Sequence, residues 1–128
     1  PRLFDPQDKL SCFNHLAEKE EYVIIDSPGE LAGYRDLRYP RCRETSDAII
    51  DFDKKTLLGR FVEAEGCSVD FKKIVFRNDK EKQYTYKIDV LKKGACNTHF
   101  TSMDWILIPR RPIYYGVTFE VKERLISN

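Results

Sequence analysis

The chain has 128 residues, the size of one ordinary domain, and a domain of that length buries about two thirds of the surface its unfolded chain exposes. With 41% apolar and 34% charged residues, and eight Phe and seven Tyr to build a core, the composition excludes a disordered chain and describes a well-solvated globule. Lys and Arg number 22 against 21 acidic residues, interspersed to a net charge of +1, so no electrostatic case for nucleic acid follows, and no apolar run approaches the roughly 18 residues of a membrane span.

In DPQDKLSCFNHLAEKEE, Leu10, Phe13 and Leu16 or Ala17 recur at three to four residues and predict a short amphipathic helix. YVII, 22 to 25, is a β-branched buried run that stops at DSPGE. There Ser27 can cap, Pro28 suits the first helical position and Glu30 completes an S-x-x-E box, so a second helix is expected over 28–37. YPRCRETSD, from Tyr39 to Asp47, reads as a loop. TLLGRFVEA, 56 to 64, is apolar enough for a core strand, with Gly59 marking a bulge or a close backbone approach. FKKIVFR and QYTYKIDVL flank the charged knot RNDKEK; in the second, Tyr84, Tyr86, Ile88 and Val90 alternate with Thr85, Lys87 and Asp89, so one face is buried. DWILIP is the next strand, RRPIYY a turn or an edge, and GVTFEVKE the closing strand, with Val117, Phe119 and Val121 inward.

Two short N-terminal helices followed by five to six sequential strands predict a single α+β domain over residues 1–128. Its helices would lie on one face of a curved, mainly antiparallel, meander-like sheet. A β-sandwich or a small barrel is the alternative.

Cys12, Cys42, Cys67 and Cys96 are even in number, widely spaced and contain no C-x-x-C pair. That favours two disulfides over a zinc site, in an oxidising compartment; three connectivities are open. Cys96 and His99 form a C-x-x-H pair, which could share a metal or activate a thiol, but the one other histidine is His15 and a disulfide at Cys96 is the stronger reading. Asp47, Asp51 and Asp53 lack the spacing of a calcium loop and read as solvated acids at a strand entrance. IPRRPIYYG, 108 to 116, places Arg110, Arg111, Tyr114 and Tyr115 between prolines and is the candidate partner surface, because Arg and aromatic residues anchor interfaces. No phosphate-binding, dinucleotide-binding, nucleophile-elbow or zinc-protease motif occurs, so no enzyme, metal or cofactor is expected.

The strings IIDFDKKTLLGRF, EGC, YTYKIDVLKKGAC and SMDWILIPRRPIYYGVTFEV resemble a pattern recurring in small uncharacterised exported proteins and lipoproteins of Gram-negative bacteria. In that group an I-D-F-(S/D)-K-x-T-L-L-G strand entry leads to a Gly-Cys, a charged hairpin, a second Cys, a W-x-L-I-P-K/R strand and a closing Y-x-V-x-F strand. The likeness runs from about Ile49 to Val121. It implies an exported or lipid-anchored domain of no assigned activity, with Cys67 and Cys96 as a disulfide pair. The order of strand entry, hairpin and V-x-F strand is more distantly similar to the PrcB family, named for a component of a protease complex; its glycine-rich turn P-T-G-G-Y stands here as NDKEKQYTY, without the glycines. LLGRF is also similar to the G-x-W of a lipocalin's first strand, with Phe61 in place of the tryptophan and too few strands after it for an eight-stranded calyx.

Counting outward from the centre of RNDKEK, between Asp79 and Lys80, sets Cys67 opposite a residue near 92, and a disulfide spans at most about 7 Å between Cα atoms. A Cys67–Cys96 staple therefore needs a kink, for which Gly66 and Gly94 are placed. The expected function is an exported, disulfide-stabilised binding module without catalytic activity, in the periplasm or cell envelope, with an unknown protein or small ligand as partner. The numbering opens at Pro1, which suggests a processed end and a precursor that could carry a lipid anchor. A peptidase inhibitor or protease-complex accessory protein, and a lipocalin-like carrier of small apolar ligands, are the alternatives.

Overall fold

Period-two alternation is sustained along more of the chain than its apolar runs suggest. The structure, a computed structural model, describes residues 21–38 and 50–127, and about 63% of these are strand. The elements follow in the order β1 (Tyr22–Ile25), α1 (Pro28–Arg38), β2 (Lys55–Glu65), β3 (Ser68–Asn78), β4 (Gln83–Lys93), β5 (His99–Pro109) and β6 (Gly116–Ser127). The strands form two three-stranded sheets, β1-β2-β5 and β3-β4-β6, which pack face to face and do not close into a barrel.

This corrects the expected α+β fold with two N-terminal helices over one mainly antiparallel sheet. The segment of the first expected helix lies outside the described residues, and α1 is the one helix among those described. Two physical reasons divide the strands into two sheets. The β2–β3 connection is only Gly66 and Cys67, yet it carries the chain from one sheet to the other instead of closing a hairpin. β5 then returns to the first sheet, so that β6 meets β4 in parallel, Gln83 opposite Gly116 and Ile88 opposite Val121. A parallel pair needs a crossover, and β5 is that crossover.

Residues of alternate parity on β2 serve two cores. Leu58, Val62 and Ala64, with Ile106 and Ile108 of β5, face Tyr84, Tyr86, Ile88 and Val90 of β4 across the sandwich. Leu57 and Phe61, with Met103, Trp105 and Leu107, face the other way, towards Leu31 of α1 and towards Ile50 and Phe52. A strand buried on both faces reads as a continuous apolar run, as TLLGRFVEA does. Gly59 sits opposite Trp105 in unbroken register, and a Cβ there would lie 2.5 Å from the indole, so the glycine marks a close approach and not a bulge. α1 starts on a reciprocal cap. The Glu30 N–H donates to Ser27 Oγ at 3.1 Å, and Glu30 Oε1 accepts from the Asp26 N–H at 3.1 Å.

At the open end of the β3–β4 hairpin the expected register is corrected by two residues. Asn78 pairs with Gln83 and Ser68 with Lys93, because the turn takes four residues, 79–82, with Lys82 at φ 54°. Continued, this register sets Cys67 opposite Gly94, and the Cys67 N–H donates to Lys93 O at 2.7 Å. Gly94 then turns the chain at φ +77°, a conformation that suits glycine alone among ordinary residues in so tight a place: a Cβ there would overlap Cys67 Sγ. The kink brings Cys96 back to bond Cys67, with Cα atoms 4.7 Å apart. Cys12 and Cys42 lie outside the described residues.

Candidate functional site

The β5–β6 loop, residues 110–115, is fixed from both sides. The Arg110 N–H donates to Lys54 O at 2.8 Å, and its guanidinium donates to Phe52 O. The Arg111 N–H donates to Thr56 Oγ1 at 3.1 Å; that fully buried hydroxyl in turn donates to Asp26 Oδ1 at 2.7 Å. The Arg111 guanidinium closes the ring, donating to Asp26 Oδ2 at 2.8 Å and to Tyr115 O at 2.6 Å. A turn bond from the Tyr115 N–H to Pro112 O, 2.9 Å, folds the tip back on itself.

The strands that carry this loop also bring the charged knot to it. The Tyr115 side chain turns inward, 7% exposed, and its hydroxyl donates to Asp79 Oδ1 at 2.6 Å in the β3–β4 turn. Asp79 also accepts from Arg77 Nε, while Arg77 Nη1 donates to Tyr84 Oη at 3.1 Å. The Arg77 guanidinium lies 5.2 Å from the Tyr115 ring centre and 5.5 Å from that of Tyr84. The hydrogen bond from Tyr115, joined by that from Arg77, holds the Asp79 carboxyl below its ordinary range; the same bond to Asp79, with burial, raises the Tyr115 phenol. Arg77 is held in its charged form chiefly by its bond to Asp79.

What this platform presents to solvent is apolar. Ile113 is 95% exposed and Tyr114 66%, with Lys82 Nζ 5.0 Å over the Tyr114 ring. A groove of about 510 Å³, lined by Asp26, Glu30, Arg110, Arg111, Pro112 and Ile113, opens beside them.

Of the four candidate surface residues, Tyr114 faces outward, Arg111 and Tyr115 are the supports beneath, and Arg110 is exposed along its length with its head group tied to Phe52 O. Ile113 was not singled out in the sequence, since an isoleucine in a turn carries no chemical signature. The union of RNDKEK with RRPIYY was not legible either, as the two stretches lie some 30 residues apart. Elsewhere, Asp51 Oδ1 accepts the Asp53 N–H at 3.0 Å and Asp51 O receives Lys54 N–H and Lys55 N–H, so Asp51 and Asp53 shape a turn; Asp47 and His15 lie outside the described residues. The Cys96 thiol is consumed in its disulfide, and His99 Nε2 lies 3.1 Å from Glu63 Oε2 on the surface. Among the described residues no cluster of three or more His, Cys, Asp or Glu side chains is placed to hold a metal ion, and no helix is long and apolar enough to cross a membrane.

Comparison with protein-family models, with curated proteins and with solved structures returned no match.

Proposed function

We propose that this domain is an exported, non-enzymatic binding module that meets a protein partner end-on, through the β5–β6 loop and the β3–β4 tip. One observation carries the reading: Ile113 and Tyr114 are held in the open on a loop pinned on both flanks by hydrogen bonds of Arg110, Arg111 and Tyr115. An apolar pair on a preorganised turn loses little conformational freedom on docking, and an isoleucine beside a tyrosine supplies the buried centre that a polar rim of Lys82, Arg110 and Glu30 would surround. The Cys67–Cys96 disulfide fits a non-cytoplasmic setting, and the reading places the module in the periplasm or cell envelope, on a precursor that could be lipid-anchored.

A peptidase inhibitor would insert a hairpin tip, RNDKEK or PRRP, into an active site. The head groups of Arg77 in the first and of Arg110 and Arg111 in the second are engaged within the domain, which favours the contact-surface reading instead. The carrier alternative needs an internal cavity, whereas Leu58, Val62, Ile106 and Ile108 meet Tyr84, Tyr86, Ile88 and Val90 between sheets that do not close.

The test is a photoreactive side chain introduced at Ile113 in the exporting cell, with the same probe at exposed Leu37 as control, followed by titration of the captured protein. Adducts confined to the Ile113 probe, and an affinity for Ile113→Asp at least roughly tenfold below that of the unaltered domain at unchanged thermal midpoint, are expected. Adducts shared with Leu37, or an unchanged affinity, would sink the reading.

A further inference from the structure

A two-sheet sandwich has four edges, and three of these are guarded. β1 is only four residues long. β3 carries Lys73 on its inward face, a charge that opposes strand addition, and the Lys73 ammonium donates at 2.8 Å to Trp105 O of β5, so one contact protects two edges. β6 has no such device along its first half. It runs twelve residues without proline and pairs with β4 on one side, unbroken in register until Lys92/Lys93. On its other side no strand lies among the described residues. An open groove of about 400 Å³ between Tyr22, Arg60 and Val117–Phe119 runs beside that edge. At the strand's far end Leu125 is 58% and Ile126 44% exposed.

We propose that β6 pairs with β6 of a second copy of this chain, antiparallel across a two-fold axis at Val121, joining two three-stranded sheets into one of six strands. Two requirements together select the register. A two-fold axis normal to the sheet keeps each side chain on its own face, so it must pass through a residue, and in a twelve-residue strand centring on Lys122 or on Val121 engages eleven residues, Gly116 to Ile126 in the latter case. Centring on Val121 sets Glu120 opposite Lys122 of the second copy, twice by symmetry, on the outer face where both side chains are exposed. Centring on residue 120 or 122 would instead set Glu120 or Lys122 against itself. On the inner face the register brings Val117 over Leu125 of the second copy, covering an apolar side chain that the single domain leaves in water. Glu123 meets Phe119 of the second copy with its carboxylate already 3.9 Å from Lys92 Nζ of its own sheet.

The pairing is tested by sedimentation equilibrium on the disulfide-intact protein. The unaltered chain should be a dimer in the micromolar range. Glu120→Lys and Lys122→Glu should each weaken it roughly tenfold or more, and the double swap should restore it, with circular dichroism unchanged throughout. An unaltered chain that is monomeric at its highest soluble concentration overturns the proposal. So does a dimer indifferent to both single swaps, or a double swap that fails to rescue.

Discussion

Thr56 has no charge, yet it ties the Arg111 backbone to the Asp26 carboxylate. Its hydroxyl accepts the Arg111 N–H and donates to Asp26, so both capacities of a fully buried oxygen are used and the β5–β6 loop is tied to the start of α1 through a single small side chain. Tyr115 acts likewise for the β3–β4 turn, and its bond with Asp79 sets a pH window. The depressed Asp79 carboxyl contributes stability present above the unfolded aspartate value of about 3.9 and lost as pH falls through its lower folded value. The raised Tyr115 phenol contributes stability present below about pH 10 and lost as pH rises through its higher folded value. Tyr115→Phe should therefore remove the alkaline limb assigned to this phenol and soften the acid one, and Asp79→Asn should remove the acid limb and shrink the alkaline one to what burial alone contributes. Urea midpoints measured across pH check this; profiles that superimpose on the unaltered chain would refute the assignment.

Among the elements, the disulfide and its hairpin are the clearest case of what sequence can and cannot give. Tyr84, Tyr86, Ile88 and Val90 announce a half-buried strand by period alone, and Gly66 and Gly94 announce an irregularity near the cysteines. The turn length was not announced: nothing in RNDKEK distinguishes a tip centred after Asp79 from one that gives Lys82 a positive φ, and one residue of turn shifts the opposing strand by two. Bonding Cys67 to Cys96, 29 residues apart, should stabilise the fold by about 3–4 kcal/mol through the lost freedom of the unfolded chain. A Cys67→Ser/Cys96→Ser chain should lose about that much in urea unfolding. Because the bond closes the hairpin end away from the 79–82 turn, the Asp79–Tyr115 hydrogen bond should survive in it, read as a retained alkaline shift of the Tyr115 titration.

For the whole molecule, the partition of the strands is what the sequence withheld. Inward and outward faces follow from alternation on β4 and β6, so that part of the core between the sheets was legible: Tyr84, Ile88 and Val121 are apolar at the right parity, whereas the apolar run of β2 does not say that it serves two cores. Which sheet a strand joins depends on where the chain goes between strands. Gly66–Cys67 and the stretch from Gly94 to Thr98 look like ordinary turn sequence while carrying β3 and β5 into opposite layers. The parallel β4–β6 pair follows from those two crossings and from nothing local. A chain cut after Arg110 should consequently fail to fold, although it retains five of the six described strands, because β4 is left with one neighbour in its sheet; far-ultraviolet circular dichroism and amide exchange would show this, and protected amides in β3 and β4 would count against it. The arrangement also bears on how the domain comes into being. During synthesis the β3–β4 hairpin leaves the ribosome before its second partner, β6, which follows β5 in the chain. The β1-β2-β5 sheet can pair as soon as β5 is free, whereas the β3-β4-β6 sheet waits for β6, so the parallel pairing, which spans the chain from Gln83 to Gly116, is the non-local contact that should set the folding rate.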